Sequence, residues 1–277
     1  MEKNNMNKKK NINSHSILLL ITVGLFILLY AAGYFMYGFG ANAKGFEKLQ
    51  NFLDIFRTNA ALICIACGMT CVMLTGGIDI SVGSLVAMDC MILSVGMENS
   101  GISPSLLVPF VLLIGVVFGA VQGYLIGYLG IQPFIVTMAG MFFARGMTAM
   151  ICTDQVNITV DNWFKQVAAV KVYMPFELGA VVNKRGVKMV PYVNIPVVIA
   201  LVVVVLVFLM LRYTRTGRSM YAVGGNQQSA ALMGLNTKRT KMITYILSSF
   251  LCSIGGVLYC MNTMCGTTSA MTTGMFT

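Results

Sequence analysis

Long uncharged runs separated by short charged segments dominate this chain. Across residues 58–97 the only charged side chains are those of Asp79 and Asp89. A single helix of that length would measure about 60 Å at about 1.5 Å per residue, roughly twice the hydrocarbon core of a bilayer. The run is therefore predicted to break at Gly76-Gly77, where glycine lowers helix propensity and the nearby aspartate favours a new helix start.

The other apolar runs divide in the same way. Residues 99–153 contain a single charge, that of Arg145, and are too long for one span. A break is predicted near Gly130, because Pro133 suits the first turn of a following helix. The pattern predicts an all-α integral membrane protein, a polytopic helix bundle with about seven transmembrane helices. The predicted spans are residues 17–39, 58–75, 79–97, 105–127, 133–151, 192–211 and 242–260.

Basic residues set the predicted orientation in the membrane. Residues 1–15 form a lysine-rich tail, and residues 212–241 carry six basic side chains and no acidic one. Both segments are predicted to be cytoplasmic, because positive charge is retained on that side of a membrane. Six predicted spans separate them, so the two assignments agree. The N-terminus is then cytoplasmic, the polar loop at 152–190 is external, and residues 16–277 form one transmembrane domain.

The first apolar run has one feature of a secretory signal peptide. Ala41-Asn42-Ala43 follows it and has the small residues of a cleavage site. The apolar part, residues 17–39, has the length of a membrane span rather than that of a signal-peptide core. An uncleaved first helix is therefore predicted.

Composition supports a membrane protein and excludes several other classes. Hydrophobic residues make up 57% of the chain and charged residues 10%, whereas soluble domains carry about 25% charged residues. The net charge of +10 is explained by the orienting segments, and we expect no nucleic-acid binding because no nucleic-acid motif occurs. Cys64, Cys67 and Cys71 share one helix face. Helix packing is favoured there over a metal site, because the chain's one histidine, His15, precedes the first span.

Three blocks of the sequence match one family pattern. The blocks are Gly68-Met69-Thr70 with Leu74-Thr75-Gly76-Gly77-Ile78-Asp79-Ile80-Ser81-Val82-Gly83-Ser84, then Gly130-Ile131-Gln132-Pro133-Phe134-Ile135-Val136-Thr137 running on to Arg145-Gly146, and finally Thr216-Gly217-Arg218-Ser219-Met220-Tyr221-Ala222-Val223-Gly224-Gly225-Asn226 with Ala230-Ala231 and Gly234-Leu235-Asn236. In this order they resemble the inner-membrane permeases of the ribose, xylose and galactoside class of ABC importers.

Two features depart from that family pattern. Family members usually have further spans after the seventh predicted helix, whereas this sequence ends at Thr277 in an uncharged segment rich in Thr, Gly and Ser. We interpret the sequence as truncated. In addition, Asp89 stands where the family pattern leads us to expect a small or apolar residue.

The resemblance implies an ABC importer permease fold and a function in the cell membrane. The chain would translocate a monosaccharide, a pentose or a hexose, as one half of a permease homodimer in the lipid bilayer. A soluble sugar-binding protein would deliver the sugar outside, and a separate ABC ATPase would supply the energy inside. The chain contains no Walker A pattern, so we expect no enzymatic activity and no cofactor in it, with ATP and Mg²⁺ held by the partner ATPase.

The cytoplasmic loop at 212–241 is the expected contact with the ATPase. Asn226 is predicted to cap a short helix that begins near Gln227, and the small residues after it are expected to form a face that a partner can approach closely. The alternative is an ordinary basic surface loop. The residues expected to form the coupling contact are Gly217, Arg218, Gly224, Gly225, Asn226, Ala230, Ala231 and Gly234.

The signature corner of the second and third predicted spans allows two interpretations of Asp79. Intramembrane carboxylates are costly and often functional, so Asp79 can be a site for sugar hydroxyls or for a coupling cation. The favoured interpretation is structural, an N-cap for the third predicted helix that accepts backbone N–H groups. The signature residues are Gly76, Gly77, Asp79, Ser81 and Gly83.

Asp89 and Arg145 are predicted to lie at membrane depths that differ by about 3 Å. They can form an intramembrane ion pair, which would lower the cost of burying both charges, or Arg145 can face a polar path. Pro133 and Thr137 are further candidates for the translocation path. The alternative functions are a cation-coupled secondary transporter that uses Asp79 and Asp89, and an intramembrane enzyme, which the lack of an acid/base constellation disfavours.

Overall fold

A computed structural model describes residues 14–38, 49–173, 181–182 and 188–266 of the chain. The chain separates into two compact units, one of Met1–Phe52 with Gly179–Met189 and the other of Leu53–Leu178 with Val190–Thr277. Nearly all of the predicted cytoplasmic tail and the end of the sequence lie outside the described residues.

Helices account for most of the described chain, as the hydrophobic pattern predicts. The elements in chain order are α1 (Ser14–Gly38), α2 (Leu49–Leu74), α3 (Val82–Glu98), α4 (Pro104–Gly127), α5 (Pro133–Ile151), β1 (Val156–Asn157), α6 (Trp163–Ala169), β2 (Lys171–Tyr173), β3 (Val181–Val182), β4 (Lys188–Met189), β5 (Tyr192–Asn194), α7 (Ile195–Tyr213), α8 (Arg215–Gly225), α9 (Gln227–Leu232), α10 (Thr237–Thr263) and β6 (Cys265–Gly266). The strands form three two-stranded antiparallel ladders, which the sequence did not predict.

The smaller unit contains α1, the start of α2, and the ladder of β3 with β4. The ring of Tyr30 in α1 meets that of Phe52 edge-on, with centroids 5.9 Å apart. Side chains along α1, among them Leu18, Phe26 and Leu29, are largely exposed and apolar. An exposed apolar helix of this length is suited to a lipid environment.

Several helix boundaries differ from the predicted spans for local reasons. Helix α2 begins at Leu49 rather than at residue 58, so the chain is already helical for nine residues before the predicted span. Helix α10 begins at Thr237 rather than at residue 242, because the side chain of Asn236 caps it by accepting the backbone N–H of Arg239 at 3.0 Å. The loop assigned to residues 212–241 therefore shortens, and its last basic residues lie on α10.

Helix α3 lies at the centre of the larger unit. Fourteen of its 17 residues are buried, and it packs against α4, α5 and α10. At about 25 Å, α3 is shorter than the hydrocarbon core of a bilayer. Six of the described helices are long and apolar enough to cross a membrane, namely α1, α2, α4, α5, α7 and α10. The third predicted span is thus a helix enclosed by protein rather than one that faces lipid.

Glycines bring α4 and α10 into close antiparallel contact. A Cβ added to Gly119 would lie 2.6 Å from the carbonyl oxygen of Tyr245, and one added to Gly123 would lie 2.7 Å from that of Met242. Small residues at four-residue spacing allow two membrane helices to approach to backbone contact. The glycines of this stripe are Gly115, Gly119, Gly123 and Gly127.

The connections divide the larger unit into two ends. The end we call the basic side holds the 75–81 corner, the 128–132 corner and the loop of α8 and α9, which together adjoin most of the basic residues of this unit. The opposite end holds the ladders of β1 with β6 and of β2 with β5. There the backbone N–H of Thr159 donates to Glu98 at 2.8 Å, and its hydroxyl donates to the same carboxylate. These two hydrogen bonds lower the pKa of Glu98.

Substitution of a stripe glycine tests the α4–α10 contact. Gly123→Ala should lower the free energy of unfolding by about 1–3 kcal/mol, because backbone atoms of Met242 cannot yield to the added Cβ. Gly146→Ala on α5 is the matched control, since among the described residues no atom lies within 4 Å of its added Cβ. Thermal unfolding of the purified protein in detergent measures both. Equal losses of stability would contradict the close contact.

Candidate functional site

The corner between α2 and α3 is held against α10 by its glycines. Gly76 adopts φ +73°, a left-handed conformation that side chains disfavour. A Cβ on Gly77 would lie 2.5 Å from the hydroxyl of Tyr245. That hydroxyl lies 3.4 Å from the carbonyl oxygen of Ile78, to which it donates. The corner therefore favours glycine at both positions, at Gly76 for its backbone conformation and at Gly77 for lack of space.

Asp79 is buried in this corner with both carboxylate oxygens hydrogen-bonded. Its Oδ1 accepts the backbone N–H of Ser81 at 3.1 Å and the Ser81 hydroxyl at 2.6 Å. Its Oδ2 accepts the hydroxyl of Ser248 on α10 at 3.1 Å. Three protein donors thus occupy the carboxylate, which favours the structural interpretation of Asp79 over a sugar or cation site.

The predicted capping arrangement needs one correction. Helix α3 begins at Val82, and its N-cap is Ser81, so Asp79 lies two residues before the cap rather than at it. The carboxylate holds the N-cap residue by its backbone N–H and its hydroxyl. Gln122 of α4 donates from Nε2 to the same hydroxyl oxygen at 3.0 Å, and Gly83 is buried in the first turn of α3. The signature residues therefore join the start of α3 to both α4 and α10.

The loop on the basic side consists of two short helices with side-chain caps. Thr214 caps α8 by accepting the backbone N–H of Gly217 at 3.2 Å. Asn226 caps α9 by accepting the backbone N–H of Ser229 at 2.9 Å, and α9 begins at Gln227. The predicted cap is confirmed. Lys241 of α10 donates to the Gln227 side chain at 2.8 Å and so ties α9 to α10.

The exposed tip of this loop differs from the small face that the sequence predicted. Ala230 is buried, whereas Ala231 and Gly234 are exposed. Two large apolar side chains beside them are exposed, Leu232 by 89% and Met233 by 70%. We call Leu232 and Met233 the apolar tip. The apolar tip was not predicted, because small residues were expected to form this face. The sequence does show two adjacent apolar residues in a polar loop at this point.

The glycines of the loop have different roles. Gly217 and Gly224 lie against backbone, since an added Cβ would overlap the carbonyl oxygens of Leu211 and Leu74 respectively. The second contact places α8 on the end of α2. Among the described residues no atom would meet a Cβ on Gly225 or on Gly234, but Gly234 has φ +83° and needs glycine for its backbone conformation.

Arg218 has a local role in the structure. Its guanidinium donates to the carbonyl oxygen of Tyr213 at 3.3 Å, next to the C-terminal end of α7. A cation is favourable at a helix C-terminus, where carbonyl groups lack intrahelical partners. Arg218 therefore fastens α8 to α7 as well as adding positive charge to the loop.

The four candidate path residues do not form one site. Pro133 starts α5, and the hydroxyl of the buried Thr137 donates to the Pro133 carbonyl oxygen at 2.9 Å. Asp89 and Arg145 do not form the ion pair that their depths allowed, because within the described chain neither oxygen of Asp89 has a hydrogen-bond partner. Equal depth does not place two side chains on facing sides of their helices.

An apolar groove of about 720 Å³ lies between α4 and α5 with α3 at its base. Its lining includes Phe118, Phe143 and Ile92, and Gln122 contributes an amide. Sugars need several hydrogen-bonding groups, so the groove is unsuited to hold one. Within the described residues no group of three or more His, Cys, Asp and Glu side chains is placed to hold a metal ion, and the cysteines are free thiols.

Comparison with known proteins identifies similar permeases. A family model described as branched-chain amino acid transport system / permease component matches residues 51–276. The fructose import permease protein FruG of Bifidobacterium longum is 37% identical over 243 residues, which cover 88% of this chain and 67% of FruG. The inner membrane ABC transporter permease protein YjfF of Escherichia coli is 37% identical over 248 residues, covering 90% and 69% of the two chains.

More distant relatives carry the same kind of name. The ribose import permease protein RbsC of Escherichia coli is 33% identical over 218 residues, covering 78% of this chain and 63% of RbsC. The chain thus spans about two thirds of the length of these relatives. No solved structure matches it.

Removal of the Asp79 carboxylate tests its structural role. Asp79→Ala should lower the free energy of unfolding by at least about 2 kcal/mol, because the buried donors of Ser81 and Ser248 would lose their acceptor. Asp79→Asn keeps one acceptor oxygen and should lose less. Thermal unfolding near neutral pH compares the three proteins, and wild-type stability of the alanine variant would exclude the structural role.

Adjacent glycines provide a second test at the base of the loop. Gly224→Ala should loosen α8 from the end of α2, because the Leu74 carbonyl oxygen occupies the space of the new Cβ. Gly225→Ala is the matched control. Hydrogen exchange of residues 214–236 should increase in the first variant and stay unchanged in the second. Similar exchange in both would show that α8 does not depend on this contact.

Proposed function

This chain belongs to the family described as the permease component of branched-chain amino acid transport systems, and we propose that it is the membrane subunit of an ATP-driven monosaccharide importer. The relatives with 37% identity support the choice of this transporter class, since one is named a fructose import permease and the other an ABC transporter permease. Relatives named for fructose and for ribose support a monosaccharide, either a hexose or a pentose.

The apolar tip is the observation that carries the proposal. It projects from α9, whose position is fixed by the Asn226 cap and by the hydrogen bond from Lys241. Two large apolar side chains at this exposure are unfavourable in water and are typical of a surface that a partner protein covers. We assign the partner as an ABC ATPase, which would receive the apolar tip in a groove and bind ATP and Mg²⁺ itself.

The charges around the loop support its placement in the cytoplasm. Lys238, Arg239 and Lys241 lie in the first two turns of α10, where the helix dipole disfavours cations. Their position is better explained by retention of positive charge on the cytoplasmic side of the membrane. With α1 as the first span, the N-terminus is assigned to the cytoplasm as well.

The opposite end of the larger unit then faces outside. Its ladders of β1 with β6 and of β2 with β5, together with α6, provide a structured surface for an extracytoplasmic sugar-binding protein. The hydroxyl of Ser105 accepts the indole N–H of Trp163 at 3.0 Å and so fixes α6 to the start of α4. A second copy of the chain would complete the translocation path, since the α4–α5 groove is apolar and unsuited to a sugar.

A cation-coupled secondary transporter is the weaker assignment. It would use Asp79 and Asp89 as cation ligands, but three protein donors already occupy the carboxylate of Asp79. The names of the relatives also favour an ATP-driven importer. The residues we assign to coupling are those that build and present the apolar tip, with the glycines of α8 as positioning residues.

A charge placed in the apolar tip tests the coupling contact. Leu232→Glu should weaken binding of the partner ATPase tenfold or more, because burial of a leucine contributes about 1.5–3 kcal/mol. Co-purification of the ATPase and uptake of labelled fructose and ribose into vesicles measure the effect. The amount of permease in the membrane should stay unchanged, because the side chain is 89% exposed.

Gln228→Glu is the matched control, as it adds the same charge on the same short helix without removing apolar surface. It should bind the ATPase as the wild type does. Wild-type binding by Leu232→Glu would contradict the proposal. Equal losses in both variants would mean that charge, rather than the apolar tip, controls the contact.

A further inference from the structure

Asp89 is a carboxyl group in the interior of the larger unit without a partner. It lies near the middle of α3 with no exposed surface, and in the part of the chain that the structure describes neither of its oxygens accepts or donates a hydrogen bond. An ionised carboxylate in such a place costs many kcal/mol unless a cation or several donors accompany it. The charge of Asp89 must therefore be either removed or compensated.

Asp79, which lies against the same helix α10, shows how the charge of a buried carboxylate is compensated. It lies in the corner just before α3, and both of its oxygens accept protein hydrogen bonds. Asp89 lies farther along the chain, about two turns into α3, which runs parallel to α10. At its level α10 presents Gly256, where an added Cβ would lie 3.3 Å from Oδ2 of Asp89. The glycine leaves room for the carboxyl group but offers it no side-chain donor.

Among the residues that the structure describes, the titratable groups next to Asp89 do not supply a positive charge. They are thiols, Cys90 on α3 and Cys252 on α10, with Cys260 and Cys265 farther along the same contact. Thiols are neutral near pH 7. Helix α4 and β1 carry no charged residue, and the charged side chain of α5 is that of Arg145, which forms no hydrogen bond to Asp89.

One polar side chain stands beside the carboxyl group. Ser253 precedes Gly256 by three residues on α10, so the two positions are neighbours on one helix face. The hydroxyl of Ser253 is buried and, among the described residues, has no hydrogen-bond partner of its own. It is close enough to interact with Asp89. An unpartnered carboxyl and an unpartnered hydroxyl therefore face each other across the α3–α10 contact.

We propose that Asp89 is a proton-binding site inside the membrane domain, occupied as a neutral carboxylic acid whose O–H is donated to the Ser253 hydroxyl. A bound proton removes the charge, and the resulting hydrogen bond gives each of the two groups one partner and joins α3 to α10. The proton stays bound while these helices remain packed. Separation of α3 from α10 would hydrate Asp89 and allow it to ionise.

Infrared spectroscopy of the purified full chain in lipid nanodiscs tests this site directly. The difference spectrum between wild type and Asp89→Asn should contain the C=O stretching band of a protonated carboxylic acid, shifted by exchange into D₂O. The band should persist in Asp79→Asn and should move in Ser253→Ala, which removes the hydrogen-bond acceptor. Ser249→Ala, one turn earlier on α10, is the control for Ser253→Ala and should leave the band in place.

Stability measurements give a second readout that does not depend on transport or on the ATPase. Asp89→Asn is isosteric and neutral, so its thermal stability near neutral pH should equal that of the wild type. A difference spectrum with carboxylate bands and no acid band would overturn the proposal. So would a wild-type stability that depends on whether Na⁺, K⁺ or a large organic cation is present and that loses this dependence in Asp89→Asn, since a metal cation would then occupy the site.

Discussion

The backbone contact between α4 and α10 is the constraint on which the rest of the larger unit depends. Gly119 and Gly123 allow the two helices to meet without intervening side chains. In a membrane, packing and hydrogen bonds must hold helices together, because lipid offers no hydrophobic driving force between them. With α4 and α10 fixed, α3 is enclosed on several sides. Its two serines, Asp89 and Cys90 are then kept away from lipid, where unsatisfied polar groups are costly.

Features that depend on local chemistry were predicted well from the sequence. Helix α5 has the predicted limits of residues 133–151, because Pro133 is restricted to the first turn and polar residues follow its end. The Asn226 cap was also predicted correctly, since a cap is decided by a side chain and backbone groups a few residues away. The lengths of the hydrophobic runs also predicted most of the membrane-spanning helices, because run length is likewise a local property of the sequence.

Features that depend on the rotation of one helix against another were not predicted. Residue spacing gives the depth of Asp89 and of Arg145 in the membrane, but it does not give the direction in which each side chain points. The enclosure of α3 was missed because a buried apolar helix and a lipid-facing one have similar compositions. The glycine stripe of α4 could have been read from its four-residue spacing, whereas its partner α10 could not. Helices α10 and α3 begin directly after their caps, Asn236 and Ser81, whereas composition alone predicted other first residues.

Helix α10 runs without interruption from the basic side to the opposite end, a length of about 40 Å. Lys241 near its start is bonded to α9, and β6, which follows its end, pairs with β1. A tilt at the base of this single helix would displace the strand pair at its far end by a larger distance. A displacement of the α8–α9 loop would therefore reach the opposite end of the larger unit along one continuous helix.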